Sequence, residues 1–454
     1  MSFHTTPLDL RPERLTHTIV RLAAPAVVEN LLVMAVFLAD TLLIGWLRDD
    51  VALAAIGLGS TLMFVANGLF EALAVSGVAL VARACGERDW DRAARAGGQA
   101  LLLAGWVSLA TMGLFFAFTP VLFRWMGAEA AVVEQGSRYI RILMTTALLS
   151  FPMMVANGTM RGAGDTRTPM WITLVMNVWN VLAAGVLIFG LGPFPALGLA
   201  GAGWATASAR AIGGMLALAA LFSGRTALRF QARALWPPDT GLLLRLIRVA
   251  LPNLGEAIVS RLGYALFMRM VSGLGTVALA AHQIALRVES LSFMPGWGLS
   301  VAAATLAGQA LGAGDAELAE GGIRRTLGMA LSLMGSIAVA FALLGPWIVR
   351  AFGSTAEVLS LAGMAVRIAA AEQPSIAVQM VLAGGLRGSG DTRTPMWVTL
   401  VGTVLFRLAV VYLFVEVLDW GLAGVWWGTA VDWAGRAVLI WALFRRGHWK
   451  RIRV

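Results

Sequence analysis

Arg161 to Trp171 reads RGAGDTRTPMW, and Arg387 to Trp397 reads RGSGDTRTPMW. Only Ala163 against Ser389 differs, and the copies lie 226 residues apart (387 − 161), about half of the 454-residue chain. A near-identical repeat at that spacing marks a duplicated unit. In each copy an apolar run arrives, Arg-Gly-x-Gly lets the backbone turn sharply, Asp-Thr caps a new helix, and Thr-Pro sets its first turn. The stretch predicts a helix, a tight polar turn and a second helix, made twice. Weaker echoes hold the register: Pro25 and Glu29 against Pro252 and Glu256, Leu53-Ala54-Ala55 against Leu279-Ala280-Ala281, and Gly86 and Asp89 against Gly312 and Asp315.

With 59% hydrophobic and 13% charged residues, the chain is too apolar for a soluble domain. Apolar runs of at least the roughly 20 residues that span a bilayer fall at 19–46, 52–81, 96–119, 136–160, 168–190, 196–222, 243–271, 277–309, 323–345, 358–384, 395–416 and 420–444. The expected fold is all-α and polytopic, with twelve transmembrane helices in two six-helix lobes. Six is even, so both halves enter the membrane in the same sense, and a pseudo-two-fold axis along the membrane normal relates them. The lobes are 1–222 and 241–454, joined by a polar linker at 223–240 that holds Arg225, Arg229, Arg233 and Pro237-Pro238. Met1 to Leu15 is too polar to be a secretory signal.

The formal charge of +10 sits in clusters between apolar runs rather than on one soluble face, which argues against nucleic acid as a partner. Alternate loops hold about 22 Lys and Arg and the intervening loops about 3, so the bias puts both termini in the cytoplasm. One cysteine excludes an internal disulfide, and four scattered histidines make a metal site improbable. No His, Asp or Ser cluster stands at catalytic spacing in the membrane, so an enzyme is not expected. Two bundles with a cleft between them suit an alternating-access carrier binding substrate at the midplane; a channel or a purely structural duplication is the competing reading.

An ionisable residue at mid-bilayer costs roughly 2.5–3.5 kcal/mol on insertion scales and demands a reason. The first half has Glu29 and Asp40 on helix 1, Glu71, Arg141 and Arg210. Counting 1.5 Å per residue from the outer ends puts Asp40 about 10 Å deep and Asn180 and Thr206 about 15 Å deep. No arginine falls at that level, so Asp40 is expected to be isolated from cations and a candidate for proton exchange. The second half mixes signs: Glu256, Arg261, Arg287, Glu289, Glu372, Arg407, Asp432 and Arg436. Matching depths suggest that Arg261 or Arg287 pairs with Glu256 or Glu289. His282, seven residues before Glu289, reads as an interior histidine more than as a relay.

The doubled RG-x-GDTRTPMW turns, ADTLLIG at Ala39 to Gly45 and the run AAHQIALRVESLSFMPGWGLSVAAATLAGQALGAGD from Ala280 to Asp315 resemble the multidrug and toxic compound extrusion (MATE) family, in its prokaryotic branch near the DNA-damage-inducible transporters. The resemblance covers essentially the whole chain. It implies a secondary active transporter in the cytoplasmic membrane that exports amphipathic, often cationic compounds against inward H⁺ or Na⁺, with no cofactor. Lipids and small substrates are its implied partners, and the chain is expected to act as a monomer. Carried over position by position, Asp40 matches the coupling carboxylate of helix 1, Asn180 and Thr206 match polar partners, and Glu256 an acidic position used for coupling in some members. Tyr139 and Asn157 match polar cavity positions, and Glu29, His282 and Glu289 join them as polar candidates. Arg161, Asp165, Arg387 and Asp391 belong to the cytoplasmic turns. Ala184 and Ser375 stand where many or some members have Asp, and losing a hard oxygen ligand favours H⁺ over Na⁺. The alternative is a flippase of lipid-linked or amphiphilic metabolites on a related fold; twelve spans and an acidic helix 1 argue against it.

Overall fold

The computed structural model describes residues 8, 11, 13–47, 49–193, 195–224, 226, 228 and 230–452. Arg48, Arg225, Arg229, Arg453 and most of the polar stretch before Leu15 lie outside the described residues. Twelve spans follow in order: α1 (Leu15–Gly45), α2 (Asp50–Gly86), α3 (Trp90–Trp125), α4 in two segments, α4a (Ala130–Met144) and α4b (Ala147–Gly162), α5 (Arg167–Phe189), α6 (Leu199–Phe222), α7 (Thr240–Gly273), α8 (Thr276–Gly312), α9 (Ala316–Ile348), α10 (Ala356–Gly388), α11 (Arg393–Val417) and α12 (Gly421–Arg445). Seven are long and apolar enough by themselves to cross a membrane, and the α4 pair makes an eighth. The other four, α7, α8, α10 and α12, are 25 to 37 residues long and reach across a bilayer, but carry charged side chains such as Glu256, Glu289, Glu372 and Asp432.

The chain divides into two compact units: Met1–Leu8 with Val28–Arg248, and Asp9–Val27 with Val249–Val454. The start of α1 thus groups with the second unit. The polar connection after α6 groups with the first, because the buried Gln99 of α3 pins it. Its amide nitrogen donates to the carbonyls of Ala234 and Leu235 at 3.2 and 3.1 Å, and its oxygen accepts from the Asp239 backbone at 2.9 Å.

Local chemistry explains the ends. The side chain of Asp89 accepts from the Arg92 amide at 2.9 Å and starts α3, and Asp315 does the same for α9 with Leu318 at 2.8 Å. In the repeated turns Gly164 and Gly390 adopt φ of +90° and +94°, a region open to glycine. Asp165 and Asp391 then cap the next helix, each accepting from a threonine amide at 3.0 Å.

Glycine also sets how closely the helices pack. A Cβ on Gly158 or Gly162 would sit 2.8 Å from the Ala74 or Val78 carbonyl oxygen, so α4b lies backbone-close on α2. Gly384 and Gly388 repeat this against Ser300 and Ala304 of α8, at 2.4 and 2.0 Å. Small residues four apart at a helix interface are how membrane helices come this close. The expected single fourth span is instead bent by 59°. The Thr145 hydroxyl donates to the Ile142 carbonyl at 2.7 Å and that of Thr146 to Leu143 at 3.2 Å, satisfying backbone acceptors at the break. Its counterpart α10 is unbroken, with Pro374 inside it.

Candidate functional site

Each unit holds its repeated turn onto its first long helix by one ion pair. In the first unit Arg161 Nη2 donates to Glu29 Oε1 at 2.5 Å, and Thr173 lies 3.4 Å from the same oxygen. In the second, Arg387 Nη2 donates to Glu256 Oε1 at 2.7 Å and Thr399 to it at 2.9 Å. Both carboxylates are buried or nearly so, with side-chain exposures of 7% and 13%. Glu29 and Glu256 therefore answer to the arginines of the turns. The ion pair seen at Glu256 is thus with Arg387 of the turn, where matching depth had pointed to Arg261 or Arg287. Those two had been chosen for matching backbone depth, but an arginine side chain reaches well away from its own Cα.

The first unit also gathers a polar group on α1, α4a, α5 and α6. Asp40 is half-buried on α1, and Arg210 of α6 lies within electrostatic reach of both Asp40 and Tyr139. Asp40 is thus not isolated from arginine, as depth counting had suggested, since the Arg210 charge acts on it. Tyr139 enters because the facing positions are glycines: Cβ atoms at Gly59 and Gly203 would come within 3.6 and 3.2 Å of its ring. Asn180 Nδ2 donates to Thr206 Oγ1 at 3.2 Å, joining α5 to α6. The buried Asn177 amide donates to the Leu32 carbonyl of α1 at 2.6 Å. Asn157 is buried on α4b, and its side-chain oxygen has no partner among the described residues. A carboxylate, a guanidinium, a phenol and paired neutral amides can bind or release a cation by small changes in charge.

The second unit's polar core is built differently. Asp432 of α12 is fully buried and clamped by two arginines: Arg436 Nε lies 2.6 Å from Oδ1 and Arg407 Nε 2.7 Å from Oδ2. The Trp433 ring faces both guanidinium carbons, at 5.6 and 5.7 Å, and Arg436 also donates to Thr403 at 3.1 Å. The buried carboxyl groups of Glu289 and Glu372 lie close enough to act on each other, with Arg407 within electrostatic reach of both, and Thr429 donates to Glu372 at 2.6 Å. Burying charges together is tolerable where opposite signs are paired, as Asp432 is with Arg407 and Arg436. The sequence points to Asp432, Arg436, Arg407, Glu289 and Glu372 as charges in the membrane, with Glu289 the one site candidate among them, and gives no sign of Trp433, Thr403 or Thr429. The i, i+4 spacing of Asp432 and Arg436 was the signal for the clamp. His282 is buried between the rings of Phe267 and Trp426, with centroids 5.6 and 5.4 Å away. Neither of its nitrogens has a hydrogen-bond partner among the described residues, so it packs as an aromatic. No group of three or more His, Cys, Asp or Glu among the described residues could hold a metal ion.

Against known proteins, the sequence model of the MatE family matches residues 25–186 and again 252–413. The two matches are offset by 227 residues (252 − 25), in step with the repeated turns. The probable multidrug resistance protein NorM of Burkholderia pseudomallei is 31% identical over 438 residues, covering 94% of this chain and 92% of that protein. A protein of the same description from Thermotoga maritima is 29% identical, covering 95% and 93%. Among solved structures, a crystal structure of MATE in complex with MaD3S superposes with a TM-score of 0.91 at 23% identity, covering 99% of this chain and 100% of that one.

Proposed function

Since the chain belongs to the MatE family, we propose that it is a secondary active efflux transporter of the cytoplasmic membrane, exporting amphipathic, often cationic compounds by antiport with H⁺. The relatives described as multidrug resistance proteins support the substrate class. The observation that carries the coupling is the grouping of Asp40, Arg210 and Tyr139 within electrostatic reach of one another in the first unit. Ionised Asp40 balances Arg210, and a cationic substrate then meets no net repulsion. A proton on Asp40 leaves the guanidinium unopposed, and the substrate is expelled. Asn180 and Thr206 supply neutral donors and acceptors that hold either state. Asp40 is the coupling carboxylate in this reading, while Glu256 and Glu29 hold their turns. Both termini face the cytoplasm, because the arginine-rich loops lie on that side.

One proton in for one monovalent cation out moves no net charge, so the membrane potential, worth about 2.3 kcal/mol per charge per 100 mV, cancels. A pH gradient alone should drive export. The test is dye movement in liposomes carrying the purified protein under an imposed pH or sodium gradient, with Asp40→Asn beside the wild type. Transport should follow the pH gradient and vanish in Asp40→Asn with the protein still folded. Full transport by that variant, or transport following sodium at constant pH, overturns the assignment.

A further inference from the structure

Arginines are scarce at the membrane face opposite the repeated turns, yet three converge there on one cavity. It has a volume of about 750 Å³ and lies between the end of α3 and the start of α4a. Arg124 closes α3, while Arg138 and Arg141 come from α4a one turn apart, and Glu134 is the one acidic residue beside them. Three cations and one anion leave a formal +2 at this cavity, where the loop bias would otherwise leave little positive charge. Arg141 Nη2 donates one bond, 3.2 Å to the Phe116 carbonyl, and the guanidinium has further donors to offer. Ser137 also lines the cavity; it is 5% exposed and its hydroxyl has no hydrogen-bond partner among the described residues. A buried hydroxyl without a partner costs free energy that a bound acceptor would recover. The remaining wall is largely apolar, with the half-open Phe116 ring at its rim.

We propose that this cavity binds the phosphate of an anionic phospholipid. Guanidinium forks match phosphate oxygens in geometry and charge. The Ser137 hydroxyl can donate to the same group, Glu134 can accept from a headgroup hydroxyl, and the apolar wall follows the first part of an acyl chain. A free phosphate would use the arginines and Ser137 but leave that wall wet. The assignment is independent of the transport reading, since it concerns neither Asp40 nor the coupling ion.

The purified full-length protein is stripped of lipid, equilibrated with micelles containing phosphatidylglycerol or phosphatidylcholine, and its bound lipids are counted by native mass spectrometry. Wild type should retain phosphatidylglycerol over phosphatidylcholine at one site that weakens by about a hundredfold in Arg138→Gln/Arg141→Gln, about tenfold for each charge-assisted hydrogen bond lost. Arg138→Lys/Arg141→Lys keeps the charge without the fork and should fall between the two. Ser137→Ala should weaken the same site by a smaller factor, and it serves if the glutamine variant does not fold. Unchanged phosphatidylglycerol retention across these variants overturns the proposal. Displacement of the lipid by inorganic phosphate at equal concentration overturns the lipid as occupant and leaves a simple anion site.

Discussion

Replacing Arg161 with glutamine keeps much of the side chain's volume and removes the charge that faces Glu29. Breaking a buried ion pair from one side costs roughly 3–5 kcal/mol, because the remaining charge stays buried and unpaired. Arg161 is 25% exposed in its side chain, so water screens part of the interaction. We expect a loss of about 2–3 kcal/mol after that discount. The second copy should lose less, about 1–2 kcal/mol for Arg387→Gln, because Glu256 is more exposed at 13% and keeps the Thr399 hydroxyl at 2.9 Å. For a unit of this size roughly 2–4 °C of melting temperature goes with each kcal/mol. Thermal unfolding in detergent should therefore show Arg161→Gln several degrees below wild type and Arg387→Gln between them. Glu29→Gln/Arg161→Gln leaves no charge stranded and should recover part of the loss. Arg161→Gln and Arg387→Gln indistinguishable from wild type, or a double variant that loses the sum of the separate Glu29→Gln and Arg161→Gln losses, would refute the claim that these pairs hold the turns.

At the chain end, the Lys450 ammonium hydrogen-bonded to Glu320 holds that carboxyl below its usual range. The contact's stabilisation is then complete above the ordinary carboxylate range and is lost as pH falls through the lowered folded value; a fluorophore on Ile452→Cys should gain mobility only in acid, and already at neutral pH when Lys450→Met is added. Gly388→Ala puts a methyl 2.0 Å from the Ala304 carbonyl and should abolish folded protein, whereas Gly328→Ala, with nothing within 4 Å, should leave the melting temperature equal or higher. Asp165→Ala removes the side-chain acceptor of the Thr168 amide and should cost about 1 kcal/mol, read as a small drop in melting temperature.

Much of the frame was legible because it is written locally. Gly164 and Gly390, the caps at Asp165 and Asp391, and the echo of Asp89 in Asp315 act within one turn of chain. The spans follow from apolar length, though α7, α8, α10 and α12 are long enough to span without being apolar enough by themselves. What stayed hidden was long-range reach. Glu29 and Arg161 are 132 residues apart, and Arg161 reads as a loop cation until its side chain is seen folded back onto α1. Arg210 escaped notice beside Asp40 for the same reason, since backbone depth does not locate a guanidinium. The break in α4 carries no glycine or proline at Thr145 and Thr146, and the two hydroxyls that satisfy it look like ordinary helix residues in sequence.

α5 is α-helical from end to end, whereas its copy α11 passes into π-helical winding at Gly402–Leu408 and again at Leu413–Val417. A π-turn accommodates an extra residue, and one residue of α-helix corresponds to about 100° of rotation. Up to Val401 the two helices therefore present the same face, as Thr173 and Thr399 do toward their glutamates. Beyond it, the residue that meets Asp432, which stands at the number of Thr206, is shifted by one. Phe406 stands at the number of Asn180, and Arg407, one residue on, turns in to Asp432. A change of winding in one helix thus accompanies a duplicated scaffold that keeps two near-identical turns at one end and houses two unlike polar clusters at the other.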